Sequence, residues 1–126
     1  MNRESIQEWL DNYVEAWRTY DPAKVRDLFS DDALYFYSPW DEDCPLRGRE
    51  AIVADWLKEP NAPGSWEAHY EPVAVEGNVA VAQGRTRYFR PDGSIERQFH
   101  NIFVLHFDDE GRCTRFTEWY MQPRSS

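Results

Sequence analysis

The 126-residue chain is short of positive charge, of cysteine and histidine, and of uninterrupted apolar sequence, and each shortage removes a class of function. Its 14 basic residues stand against 23 acidic ones, a net charge of −9, so most of the surface would repel a nucleic-acid backbone or an anionic membrane. No nucleic-acid or membrane partner is expected. Cys44 and Cys113 lie far apart in unlike contexts and read as reduced thiols rather than as a disulfide framework. Among the 3 histidines, His100 and His106 share a strand face but are separated by about 20 Å, at roughly 3.3 Å per residue, too far to hold one ion. No metal or other cofactor is expected. Arg3, Glu4, Glu8 and Asp11 interrupt the opening segment, and no later run approaches the roughly 18 apolar residues of a membrane span, so the expectation is a soluble cytoplasmic protein. Neither a Gly-rich phosphate loop nor a Gly-x-Ser-x-Gly elbow occurs, which weighs against nucleotide-dependent chemistry and serine hydrolysis. Asp41-Glu42-Asp43 lacks the alternating ligands and glycine of a calcium loop and reads as solvated.

What the chain does have is aromatic side chains: 6 Trp, 7 Tyr and 7 Phe, more than a small core usually needs. Some are expected to line a cavity or an interface. The length, with 41% hydrophobic and 29% charged residues, fits one domain over residues 1–126. Ser5 and Glu8 have capping-box spacing, and Ile6, Trp9, Leu10, Tyr13, Trp17 and Tyr20 recur every three or four residues, which predicts a first amphipathic helix. Asp21-Pro22 supplies an N-cap and an N1 proline for a short second helix with Val25, Leu28 and Phe29 on its apolar face. Ser30-Asp31-Asp32 reads as a break before a strand at Ala33–Tyr37, and Trp40–Arg47 as a loop. A third helix is predicted from Gly48 to Lys58. From Trp66 the period becomes two, with strands at about 66–75, 79–90, 95–107 and 112–121, separated by Gly77-Asn78, Pro91-Asp92-Gly93 and Asp108-Asp109-Glu110-Gly111. Turn chemistry at each separator predicts an antiparallel meander, and helices followed by strands predict an α+β domain with a curved sheet around the helices.

The order of these elements carries a resemblance. Tyr13-Val14-Glu15-Ala16-Trp17, Asp21-Pro22, Leu28-Phe29-Ser30-Asp31-Asp32-Ala33 and Gly48-Arg49-Glu50-Ala51-Ile52 resemble the N-terminal half of SnoaL-like proteins, and Phe103 to Phe107 with Thr117-Glu118-Trp119-Tyr120 resembles the C-terminal half. The chain is thus similar to the nuclear transport factor 2-like (NTF2-like) superfamily over nearly its whole length. The resemblance implies a cone-shaped α+β fold of three helices against a strongly curved, mostly antiparallel sheet, an internal pocket, and dimerisation through the sheet. The superfamily includes isomerases, cyclases, dehydratases, hydrolases and non-catalytic binding proteins, so fold alone does not decide activity.

Alternation along the strands selects candidate site residues. Phe99, Asn101, Phe103, Leu105 and Phe107 share one face, and an amide in that apolar stripe needs a partner, either a ligand or a bulge or buried water. Phe116, Glu118 and Tyr120 share a face of the final strand, and a glutamate between two aromatics would be desolvated and its pKa raised toward the range of a general acid or base. The alternatives are pairing of Glu118 to Arg85 or Arg87, or a strand turned the other way. The resemblance adds that an acidic residue acts from a similar position in some SnoaL-like cyclases, generally as aspartate, and that Tyr13 matches the oxyanion-stabilising tyrosine of steroid isomerases. The aspartate base of those isomerases has no counterpart near Tyr37-Ser38, and Phe103 stands where their second acid would be. Glu118, Asn101 and Tyr13 are therefore the candidate catalytic set, with Tyr13 alternatively a core side chain. Trp17, Phe29, Trp40, Trp56, Phe103, Phe116 and Tyr120 are expected to wall the pocket, with the Trp40 loop as a lid. His69 is read either as a pocket acid or base or as a solvent-facing edge residue. Together these residues predict a pocket for a small, oxygenated, largely apolar molecule, either turned over by proton transfer or merely bound, and the alternative is a dimeric scaffold. Ile102, Val104 and Trp119 on the opposite face predict a homodimer surface.

Overall fold

The computed structural model describes residues 1–41 and 45–124. Helix α1 (Arg3–Thr19) starts one turn earlier than the sequence suggested: the Asn2 side chain accepts from the Ser5 backbone N–H at 2.9 Å while the Asn2 N–H donates to Ser5 Oγ at 3.0 Å. Ser5 is thus the third helical residue of the box and Glu8 has no part in it, because asparagine is itself a strong N-cap. The buried stripe of α1 is Ile6, Trp9, Leu10, Tyr13 and Ala16, and the helix stops where Tyr20 turns left-handed at φ 51°. Helix α2 (Pro22–Leu28) is capped by Asp21, whose side chain accepts from the Ala23 N–H at 3.0 Å.

Strand β1 (Phe29–Phe36) follows without a gap, so Phe29 belongs to the sheet and not to the helix face. The acidic pair Asp31 and Asp32 is an exposed irregularity within the strand, where the pairing register shifts between Phe29 and Leu34. A 3₁₀ turn (Pro39–Asp41) comes next, and the segment predicted as loop contains a two-residue strand β2 (Leu46–Arg47) paired antiparallel to β1. Cys44 and the Glu42-Asp43 part of the acidic cluster lie outside the described residues. Helix α3 (Arg49–Lys58) precedes the long strands β3 (Trp66–Glu76), β4 (Val79–Phe89), β5 (Ile95–Phe107) and β6 (Cys113–Met121), which form the predicted meander.

The sheet order is β2-β1-β6-β5-β4-β3, with one parallel pair, β1 beside β6, among antiparallel neighbours. This curved, unclosed sheet and three helices make the α+β architecture the sequence predicts. Inward rows of the sheet meet α1 over an aromatic core. Phe116 is fully buried between stacked Tyr13 (5.6 Å) and Tyr35 (4.3 Å), and Trp9 makes edge contacts with Phe29 and Phe107. The Trp9 indole N–H, carried into this apolar layer, donates to the Leu28 carbonyl at 3.0 Å.

Candidate functional site

Beyond that core the interior opens into a cavity of about 520 Å³. All 7 tyrosines of the chain line it: Tyr13 and Tyr20 at α1, Tyr35 and Tyr37 at β1, and Tyr70, Tyr88 and Tyr120 on β3, β4 and β6. Of the 7 phenylalanines only Phe99 does. The sorting has a physical reason, since a phenol hydroxyl needs a partner when buried and a cavity wall supplies one where a packed core does not. Trp17 and Trp56 complete the aromatic wall. Trp17 is stacked on Trp66 at 3.7 Å and donates its indole N–H to the Tyr20 hydroxyl at 3.0 Å, and Trp56 meets Tyr13 edge-on at 5.1 Å.

Polar groups enter the cavity from adjacent strands. Asn101, buried on β5, donates from Nδ2 to Glu118 Oε2 on β6 at 2.6 Å. Thr86 Oγ1 on β4 donates to Asn101 Oδ1 at 3.0 Å, and the Tyr70 and Thr86 hydroxyls lie 2.6 Å apart. Gly84 makes that last approach possible. A β-carbon there would come within 2.0 Å of the His69 carbonyl oxygen and 2.4 Å of Tyr70 Cδ1, so only a bare α-carbon lets Tyr70 lie across β4. Separately, the Tyr13 and Tyr35 hydroxyls share a 3.0 Å hydrogen bond, and Tyr37 donates to Asp55 Oδ2 on α3.

Electrostatically the cavity is organised around Glu118. Burial pushes its carboxyl up to about 7, against the opposing effect of the Asn101 N–H. Burial likewise holds Tyr13, Tyr35, Tyr37, Tyr70 and Tyr88 above the ordinary phenol range, and the Glu118 charge raises each further. At neutral pH the site therefore combines a carboxyl poised between its two states with a ring of protonated phenols.

A family profile described as a SnoaL-like domain matches residues 10–116. The chain belongs to the SnoaL-like domain family. Solved structures with the same fold include an NTF2-like protein of unknown function from Burkholderia xenovorans LB400 (TM-score 0.71, 20% identity, covering 98% of this chain and 88% of that one). A putative ketosteroid isomerase from Kribbella flavida also has TM-score 0.71, at 14% identity over 98% and 83% of the two chains. A protein of unknown function with a cystatin-like fold from Methylobium petroleophilum PM1 has TM-score 0.67, at 15% identity over 99% and 81%. The sequence is also 31% identical over 100 residues to the extracellular metalloproteinase MEP of Fusarium vanettenii, a stretch covering 71% of this chain. That stretch is 15% of the proteinase's length.

Within this SnoaL-like cavity the structure brings together Glu118, Asn101, Tyr13, Trp17, Trp56 and Tyr120 from the residues singled out by sequence. Among the described residues neither Arg85 nor Arg87 pairs with Glu118; Arg87 pairs with Glu67 across the β3/β4 ladder at 3.3 Å. Four expected wall residues are elsewhere. Phe29, Phe103 and Phe116 are sealed in the core beneath the cavity, where closer aromatic packing leaves no open surface. Trp40 is 91% exposed on the 3₁₀ turn after Pro39 and covers nothing in the cavity. His69 is exposed and does not line the cavity, because alternation on β3 turns it opposite to the buried Tyr70. Sequence reasoning missed Thr86, Tyr70 and Tyr35. The signal lay in β4, where Ala80, Ala82, Gly84, Thr86 and Tyr88 alternate with Val81, Gln83, Arg85 and Arg87, so small residues on the inward row leave room and Thr86 falls beside Asn101.

Proposed function

We propose that the cavity binds a small, oxygenated, largely apolar molecule and that Glu118 transfers a proton on it. The observation that carries this reading is a desolvated carboxylate, pushed up to about 7, with one oxygen held by an amide and no basic side chain among the described residues paired to it. A general base is most effective when its pKa lies near the working pH, because it is then both available and basic enough to remove the proton. In the ionised form, Glu118 takes a proton from an acidic C–H or O–H of the ligand as negative charge develops on a neighbouring ligand oxygen. The Tyr13–Tyr35 pair faces that charge well: one hydroxyl donates to the other, so the accepting hydroxyl keeps its own proton for the ligand. Returning the proton from Glu118 to a different ligand atom completes an isomerisation; returning it to a leaving oxygen completes a dehydration. The cavity volume of about 520 Å³ suits a molecule of that size.

The test is a thermal-shift screen of small oxygenated metabolites, followed by assay of Glu118→Gln on each ligand found. Turnover falling about 10²–10⁴-fold with binding retained is the expected result. Unchanged turnover removes Glu118 from the chemistry. A second reading, binding without turnover, is favoured by one observation: of the two other acids that line the cavity, Asp55 is engaged by Tyr37 and Glu59 is exposed, and neither is hydrogen-bonded to Glu118 among the described residues. Ligand that is bound and recovered unchanged by the wild type supports that reading.

The outer face of the sheet is proposed as a two-fold homodimer surface, since Ile102 and Val104 there stay partly open and Trp119 is 41% exposed. Light scattering at micromolar concentration is expected to give twice the chain mass, and a monomer overturns it.

A further inference from the structure

Arg97 is the one basic side chain among the described residues that line the cavity. It shares the inward row of β5 with Phe99 and Asn101, and the row runs from exposed Arg97 through half-buried Phe99 to buried Asn101. Arg97 therefore stands at the open end, about 13 Å along the strand from the amide that holds Glu118, at roughly 3.3 Å per residue. The β4/β5 register sets it opposite Tyr88, and its guanidinium carbon lies 4.4 Å from the centre of the Tyr88 ring and 6.0 Å from that of Phe99. Both rings also line the cavity, so the aromatic wall itself holds the cation in place. A ring offers a guanidinium its face and leaves the N–H fork without an oxygen to bind. Among the described residues no carboxylate pairs with the Arg97 side chain and no protein oxygen accepts from it, whereas Arg18, Arg26, Arg49, Arg87 and Arg112 each hold an acid. Glu59, the acid that lines the cavity beside it, is exposed and is not paired to it either.

We propose that Arg97 anchors a carboxylate of the ligand, so that the ligand is an apolar acid whose anionic end sits at the mouth and whose reacting end reaches Glu118. This names the ligand class for the proposed cavity function and rests on that reading. A guanidinium fork matches the two oxygens of a carboxylate in a bidentate pair. One cation balances one negative charge, so a carboxylate suits this mouth better than a phosphate dianion, whose second charge would meet Glu59 with no cation to offset it. Between the two ends lie Tyr88, Phe99 and Tyr120, a wall that suits a hydrocarbon body. The net charge of −9 repels an anion at long range, but salt at physiological strength screens that repulsion beyond about 8 Å, and contact at the fork is shorter than this.

The experiment is calorimetric titration of the full chain with phenylbutyrate, phenylbutanamide and phenylbutylamine, and with the same three head groups on a naphthyl body. In the wild type the carboxylates are expected to bind about tenfold tighter than the amides, the effect of one charge-assisted pair at an exposed site. Arg97→Gln is expected to bring that ratio to about one with the affinity for the amides unchanged. Arg97→Lys keeps the charge without the fork and is expected to leave a ratio of about three. Arg97 is exposed, so neither variant disturbs the core. Arg85→Gln removes the same charge from the outer face of the sheet and is expected to leave the ratio at its wild-type value. Equal binding of carboxylates and amides by the wild type, a ratio that survives Arg97→Gln, a ratio that falls as far with Arg85→Gln, or amines bound tightest, overturns the anchor while leaving the cavity reading in place. Failure of every probe to bind overturns the cavity reading and the anchor with it. A turnover that ignores Glu118→Gln discards the proton transfer alone and leaves Arg97 its binding role.

Discussion

At the closed end of the molecule the inward positions of β5 and β6 are Phe103, Leu105, Phe107 and Phe116, all buried, and the interior is solid. One step along the same rows the residues become Asn101, Phe99 and Glu118, and the interior is hollow. Helix α1 makes the same change, packing Ile6, Trp9 and Leu10 into the core and then presenting Tyr13 and Trp17 to the cavity. The strands run continuously through both regions, so the backbone does not distinguish them; the side chains do. Where the rows carry aliphatic side chains and phenylalanine, burial of apolar area drives close packing and leaves no space. Where they carry hydroxyls, an amide and a carboxyl, each polar group demands a partner, and the partners are one another around a space.

That contrast can be broken by experiment, beginning with the core. Phe116→Ala is expected to cost about 4 kcal/mol in urea unfolding, whereas Tyr120→Ala at the half-exposed mouth is expected to cost about 1 kcal/mol or less. Equal costs would mean that the open end is as tightly packed as the closed one. The next effect is pH-dependent. Burial raises Glu118 from its ordinary 4.5 to about 7 in the folded state, so the fold binds this proton more tightly than the unfolded chain does. The stability it contributes is fully present below pH 4.5 and is lost as the pH rises through 7. Glu118→Gln, always neutral, is therefore expected to gain on wild type by up to about 3 kcal/mol between pH 4.5 and 8, measured as the difference in unfolding free energy. A constant difference across that range would show a solvated carboxylate. Smaller still, Tyr35→Phe breaks the phenol pair and is expected to cost about 1 kcal/mol at neutral pH in the same assay. At the bottom of the scale, Arg87→Ala removes a partly exposed pair with Glu67 and is expected to change stability by about 0.5 kcal/mol or less, which salt titration of both proteins would check.

Periodicity made the fold legible: the three helices and the meander stand where the spacing puts them, and the boundaries that moved did so for local reasons. Asn2 outcompeted Ser5 as a cap, and burial of Phe29 carried β1 through an acidic stretch that reads as a breaker. The site was legible only where one strand could be read by itself. Alternation on β5 and β6 puts Asn101 and Glu118 on the inward face without any knowledge of pairing. Thr86 and Tyr70 needed the register that sets Gly84 opposite both Tyr70 and Asn101, which is a property of three strands together. Phe103 and Phe116 were misread as wall because an inward aromatic looks the same in sequence whether it borders a space or fills one. Trp40 was misread because a large apolar side chain near a proline turn suggests cover, while its 91% exposure shows that it contacts little.

The parallel pairing of β1 with β6 also bears on how the protein is made. Of the six strands, β6 leaves the ribosome after the other five, yet it sits in the middle of the sheet between β1 and β5. Until it emerges, β1 and the β3–β5 strands lack the strand that pairs between them, so the segment that joins the sheet is also the one that brings Glu118.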